Sequence, residues 1–162
     1  MPHQNTWNVL KGAAVLGLGV AIAACGPIDA PDIIAPVDKA AEGEGKAYVN
    51  SMARGQQAYF IEYGEFAEAL DDLGIGIKAE TENYRYAVDQ TDEFEAHMAA
   101  TPKNADLKSY VASVFIIGDE DSPTLVSIVC ESNAPSQTPP ALPPTPDTEA
   151  DLACAEGSSQ VN

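Results

Sequence analysis

A short apolar run near the N-terminus divides this chain into two parts with different fates. Residues 12–24 are all apolar or small, residues 1–24 contain no acidic residue, and Lys11 adds positive charge just before the run. The run is too short to cross a hydrocarbon core as a helix, which takes about 20 residues, and it matches the apolar core of a secretory signal. We therefore expect residues 1–24 to direct export and the rest of the chain to fold afterwards.

The residue that follows this run predicts a lipid anchor. Ile22, two alanines and Cys25 form the pattern of a lipobox, in which small residues admit a peptidase and the thiol takes a diacylglyceryl group. We expect lipidation of Cys25, with insertion of its acyl chains into a membrane. Two alternatives stay open, namely an ordinary signal peptide with an incidental cysteine and an uncleaved anchor. Residues 25–37 are rich in proline, which predicts a non-helical tether that holds a domain over residues 38–162.

The remaining cysteines predict a disulfide. The chain has three cysteines, so lipidation of Cys25 leaves Cys130 and Cys154 as an even pair. In the oxidising compartments that exported proteins enter, such a pair is normally bridged. The Pro-rich residues 131–153 cannot form a central strand, because proline has no N–H to donate. We interpret them as a surface loop within a Cys130–Cys154 bridge that stabilises the fold by roughly 3–4 kcal/mol.

Charge excludes two classes of partner. The net charge of −17 argues against nucleic acid, since binding to phosphates requires lysine and arginine. It also argues against attachment to anionic lipid through basic residues. We attribute the acidity to the solubility of an exported surface.

The pattern after the tether predicts one amphipathic helix over residues 38–63. Asp38 is the expected N-cap, and Gly64 suits the left-handed position that ends a helix. Glycines within residues 41–45 weaken the pattern by up to about 1 kcal/mol each, so a start near Lys46 stays open. Because that stretch is small and acidic, we expect it to pack against nothing.

Four β-strands are predicted after the helix, over residues 84–88, 93–100, 110–117 and 124–130. The fold class is therefore α+β, with an N-terminal amphipathic helix packed on a small antiparallel sheet. The helix should contribute an aromatic stripe to this core, and the sheet should contribute aliphatic residues and a phenylalanine. The predicted contacts are Met52, Tyr59, Phe60 and Tyr63 on the helix, against Val111, Val114 or Phe115, Ile117 and Val126 on the sheet.

No catalytic or metal-binding pattern stands out. His97 is the sole histidine after residue 24, and we interpret it as a packed or surface residue. Ser113 and the other strand serines have no base nearby in sequence, and neither CxxC nor HExxH occurs. Residues 119–121 are acidic but lack the spacing of a calcium-binding EF-hand loop. We predict no enzyme activity, cofactor, metal or small-molecule substrate.

Several segments together resemble a known family. They are YVNSMARGQQAYF (48–60), GEFA (64–67), LDDLGIGI (70–77), ENYRY (82–86), LKSYV (107–111) and CES (130–132). This set, spread over residues 46–158, is similar to the bacterial type IV pilin-like G/H family. The resemblance implies a pilin-like globular domain with an amphipathic helix, an antiparallel sheet and a cysteine-bounded loop.

One departure from pilins shapes the functional expectation. A filament pilin has a leader ending in glycine, followed by a long apolar helix with glutamate at its fifth position. Here the first glutamate is Glu42, and the apolar run ends at Cys25. We therefore expect a lipid-anchored, non-enzymatic protein of the cell envelope that faces the periplasm or cell surface and binds a protein partner there or in a pilus system. The alternative is a minor pilin or pseudopilin subunit with an atypical leader.

Overall fold

The computed structural model describes residues 31–119 and 122–161, with side chains from Asp38 onward. A long helix is followed by five strands. The elements are α1 (Pro31–Tyr63), a 3₁₀ turn (Leu70–Leu73), β1 (Tyr84–Thr91), β2 (Glu95–Pro102), β3 (Tyr110–Ile117), β4 (Thr124–Ser132), a second 3₁₀ turn (Glu149–Asp151) and β5 (Ser158–Gln160). The strands form one antiparallel sheet in the order β1-β2-β3-β4-β5. The predicted α+β fold, a helix on an antiparallel sheet, is confirmed.

The helix begins earlier than its sequence pattern predicts. It is already formed at Pro31, the first described residue, so Asp38 lies inside it rather than at its N-cap, and a start near Lys46 is wrong. Residues 31–37, which we expected in a non-helical tether, are therefore helical, whereas residues 25–30 lie outside the described residues.

The helix covers one face of the sheet through small residues as well as large ones. Val49 and Met52 have no exposed area, and Ala41 and Gly45 are also buried. The expectation that residues 41–45 pack against nothing is thus wrong. Small side chains bring the helix backbone close to the sheet, and pattern analysis based on large apolar residues overlooks such contacts.

The aromatic stripe at the end of α1 contributes less to the core than predicted. Met52 is fully buried, but Tyr59 and Phe60 are only partly buried, and Tyr63 is 59% exposed. On the sheet, Val114 faces the helix as expected. The other predicted sheet contacts face away from the helix, because side chains of adjacent strand residues alternate between faces. They are Val111, Phe115, Ile117 and Val126, which belong to a second apolar cluster.

That second cluster lies beneath the Pro-rich loop. Cys130 and Cys154 form a disulfide with a Cα–Cα distance of 5.7 Å, which confirms the predicted pair. Leu152 and Cys154 pack on the cluster from the loop side. Central strand β3 is therefore buried on both faces, by α1 on one and by the disulfide loop on the other.

Two details of the sheet were not predicted. β1 continues to Thr91, with an irregularity in its pairing to β2 between Val88 and Gln90. β5 comes from the small, polar residues 158–160 and pairs with only the last residues of β4. Its side chains carry no strand pattern, because the segment is held by backbone pairing rather than by burial.

Candidate functional site

The carboxylate of Glu44 joins the helix to the start of β1. It accepts hydrogen bonds from Thr81 Oγ1 (2.5 Å), Asn83 Nδ2 (2.9 Å) and the Tyr86 hydroxyl (3.0 Å). Burial acts to raise the pKa of Glu44, but these three hydrogen bonds outweigh it and hold the pKa below its ordinary value. Burial and then the hydrogen bond to Glu44 raise the pKa of Tyr86, so its hydroxyl stays a donor. The charged acceptor and its donors thus form a polar clamp.

Next to Glu44 in the helix, Gly45 lies against the ring of Tyr84. A Cβ added to Gly45 would be 2.7 Å from Cζ of the Tyr84 ring and 3.0 Å from its Cε1 and Cε2. The Tyr84 hydroxyl donates a hydrogen bond of 2.8 Å to the backbone oxygen of Lys108. The segment ENYRY therefore fixes the helix to the sheet, and both of its tyrosines are buried.

The QQAYF segment has a comparable structural role. Gln56 is fully buried and makes two hydrogen bonds with the backbone of Ala67. Its Nε2 donates to Ala67 O at 2.8 Å, and its Oε1 accepts from Ala67 N at 2.9 Å. Because the donor and the acceptor of this buried amide are both hydrogen-bonded, it fixes one position for the chain that follows the helix.

The LDDLGIGI segment completes this attachment. It forms the 3₁₀ turn Leu70–Leu73, ended by Gly74 at a φ of +62°. The side chains of Leu73 and Ile75 lie against Gly55 of the helix, at 3.3 Å and 3.2 Å from the position of an added Cβ. The segments that carry the family resemblance thus position the helix, the turn and the first strand.

A buried row of polar groups lies on the opposite face of the sheet. His97 Nε2 is 3.2 Å from Glu95 Oε1, and His97 Nδ1 is 2.7 Å from Ser113 Oγ. His97 and Ser113 are 1% and 0% exposed. From the loop, Thr145 donates a hydrogen bond of 2.9 Å to Glu95 Oε2, so the loop lies over this end of the row.

These three groups are of the types that a nucleophile, a base and an orienting acid require. Sequence analysis did not pair His97 with Ser113, because they lie on neighbouring strands and meet only through the register of β2 and β3. Ser113 has no exposed surface, and none of the described cavities is lined by any of the three residues. We interpret the row as a satisfied polar part of the core, which agrees with the expectation of a packed His97.

Other predicted sites lie partly beyond the described residues. Cys25 is outside them, as are Glu120 and Asp121 of the acidic turn. Among residues 31–119 and 122–161 no group of three or more histidine, cysteine or acidic residues is placed to hold a metal ion. No helix in this part of the chain is long and apolar enough to cross a membrane.

An apolar groove opens at the end of the domain where α1 finishes. Its volume is about 490 Å³, and it is lined by Phe60, Ile61, Ile116, Pro123, Thr124 and Leu125. Ile61 is 78% exposed, and Phe94, in the β1–β2 turn, is 61% exposed. Sequence analysis missed this groove, because its residues come from the helix end and from the β3–β4 hairpin.

The same end of the domain is acidic. A second depression, between the segment after α1 and the β1–β2 turn, is lined by four carboxylates, Glu65, Glu68, Asp92 and Glu93. No lysine or arginine occurs in residues 55–77, 86–102 or 109–162, which supply this end. The nearest basic residue along the helix is Arg54, about 10 Å of helix before Ile61.

A long helix on an antiparallel sheet, with a disulfide loop near the C-terminus, defines a pilin-like α+β domain. The family model of type IV pilin-like G and H proteins matches residues 42–155. The match covers more than half of the chain, and the protein therefore belongs to this family and is a pilin-related protein of the envelope. Neither a curated protein nor a solved structure matches the chain significantly.

Proposed function

We propose that this protein is a non-enzymatic, lipid-anchored module of the cell envelope that presents its pilin-like domain to a protein partner. The family supports an envelope-associated protein with partners in a pilus system. The lipobox at Cys25 supports the anchor, and the disulfide agrees with folding in an oxidising compartment.

One observation carries the proposal. The polar residues of the family segments are occupied in holding the fold, as Gln56 and Glu44 show. In the row of Glu95, His97 and Ser113, both His97 and Ser113 are buried, and the row lines none of the described cavities, which supports a structural role. What the described domain offers to other molecules is surface, and that surface includes the apolar groove beside Ile61.

A second candidate function is a minor pilin subunit of a filament. The helical conformation of residues 31–37 favours it, because a filament subunit requires a helix that continues upstream of its globular domain. The composition of that helix opposes it: residues 38–46 include Asp38, Glu42 and Glu44, whereas a filament core needs an apolar helix.

The mass of the N-terminal peptide of the mature protein separates the two candidates. Acyl chains on Cys25 and the loss of residues 1–24 are expected, and Cys25→Ala should leave an uncleaved precursor or a soluble protein. A wild-type N-terminus without acyl chains, or a Cys25→Ala variant that fractionates and migrates like wild type, contradicts the anchor.

A further inference from the structure

We propose that the acidic end of the domain binds an extended segment of a partner protein, in which aliphatic and basic residues alternate, as an added strand on the free edge of β4. This inference rests on the proposed function and deepens it by naming the surface and the chemistry of the partner.

Among the described residues, nothing pairs with the edge of β4 beside the groove. Val161 N donates to Val129 O at 3.0 Å, so the backbone groups of Val129 point away from β3. Alternate residues of an antiparallel strand point the same way, and Leu125 and Ser127 therefore direct their N–H and C=O groups outward. β5 pairs with β4 only from Cys130 onward, and no other described segment makes a backbone hydrogen bond to Leu125 or Ser127.

Such an edge is a template for strand addition. Leu125 lies on the face of the sheet that α1 packs against, together with its partner Ile116 on β3. A side chain of the added strand opposite Leu125 would therefore enter the groove between the sheet and Ile61. Because side chains alternate along a strand, every second residue of the bound segment should be aliphatic.

The intervening residues of the segment would point to the other face, which the disulfide loop covers. Between Thr145 and Leu152, the loop carries three exposed acidic residues, Asp147, Glu149 and Asp151. The carboxylates that follow α1 add to this negative charge, and the segments that supply this end contain no basic residue. The surface therefore complements lysine or arginine side chains of a partner. A second copy of this chain is a poor occupant, because it brings the same acidic surface.

The test uses the full-length protein in mild detergent and a peptide of about eight residues that alternates lysine with valine. Fluorescence anisotropy of the labelled peptide gives its Kd. Two control peptides have the same length: one replaces lysine with glutamate, and the other has the same composition with all lysines before all valines. We expect only the alternating basic peptide to bind tightly, and its binding to weaken as salt rises from about 50 to about 500 mM.

Matched variants of the protein test the site. Ser127→Pro removes the outward N–H at an edge position where proline is tolerated, whereas Ser127→Ala keeps it. We expect Ser127→Pro to weaken binding about tenfold or more and Ser127→Ala to leave it unchanged. Ile61→Ser removes one wall of the groove at an exposed helix position, so it should weaken binding with the fold intact, as circular dichroism will show.

Three results overturn the inference: no binding by folded wild-type protein, equal affinity of the Ser127→Pro and Ser127→Ala variants, or a dimer in sedimentation that Ser127→Pro dissociates. The last result would make a second copy the occupant. Acylation of Cys25 is measured separately. An acylated protein that ignores the peptide contradicts this inference alone, and a non-acylated protein that binds it contradicts the anchor alone.

Discussion

Gly45 lies against the ring of Tyr84, with no room between them for a side chain. An added Cβ would stand 2.7 Å from Cζ of the ring. The small and acidic residues 41–45 are thereby brought close to the sheet, where Glu44 accepts its three hydrogen bonds. This contact ties the helix to the first strand.

Replacing Gly45 with alanine should destabilise the protein, although alanine is the better helix former. The gain in helix propensity is about 1 kcal/mol, but overpacking against a buried ring costs about 1–3 kcal/mol. Gly43→Ala is the matched control, because nothing lies within 4 Å of its added Cβ, and it should raise stability. Urea unfolding curves measure both changes. An equal gain for the two variants would show that the contact with Tyr84 imposes no constraint.

Glu44→Gln should destabilise the protein at neutral pH by about 1–3 kcal/mol, because an amide cannot accept every hydrogen bond that the carboxylate accepts. The pKa of Glu44 is lowered by folding. Its contribution to stability is therefore present above the unfolded value of about 4.3 and is lost as pH falls from there through the folded pKa. The difference between variant and wild type in urea unfolding should shrink below that pH. Glu82→Gln, at an exposed position, is the control, and a pH-independent difference would contradict the role of the charge.

Cys154→Ser should lower the free energy of unfolding by roughly 3–4 kcal/mol and uncover the second face of the sheet. Val111, Phe115 and Ile128 are buried there beneath the loop. We expect stronger binding of a hydrophobic dye, with the helix signal in circular dichroism retained. A reducing agent should change wild type in the same direction and leave the variant unaffected. Unchanged dye binding in the variant would mean that the loop stays in place without its bridge.

Ser113 should be inert towards a fluorophosphonate probe of activated serines, because it is fully buried beside His97. Ser113→Ala should instead reduce stability by about 1–3 kcal/mol, since it leaves a buried nitrogen of His97 without its partner. Intact-protein mass spectrometry measures labelling, with Ser127, an exposed strand serine, as an internal comparison. Labelling of Ser113 in the native protein would contradict its structural role and indicate an enzyme.

The order of helix and strands could be read from the sequence, because β-branched and aromatic residues mark β3 and β4, and the helical spacing of Val49 and Met52 marks α1. The disulfide followed from counting cysteines. In contrast, the assignment of β3 side chains to faces failed for Val111 and Ile117, since a strand buried on both sides shows no alternation of apolar and polar residues.

The candidate surface was even less predictable. Ile61 and Leu125 lie far apart in the sequence, and neither belongs to a recognisable motif. Their proximity depends on the crossing of α1 over the sheet and on the length of the β3–β4 hairpin. The pairing of His97 with Ser113 is equally a property of strand register. Composition did indicate that the chain as a whole is acidic, but it could not show that acidic residues lie near an apolar groove.

The coverage of β3 by the disulfide loop has a consequence for the order in which the newly made chain folds. Residues 133–157 follow all of β1 to β4 in the chain, so a chain that emerges N-terminus first after export presents the face of Phe115 and Ile128 before the loop that covers it has emerged. Cys130 then carries a lone thiol until Cys154 emerges. During that interval the sheet exposes an apolar face, an unpaired strand edge and a reactive thiol at the same time. We expect chains interrupted before Cys154 to be prime clients of holding chaperones and targets of quality-control proteases.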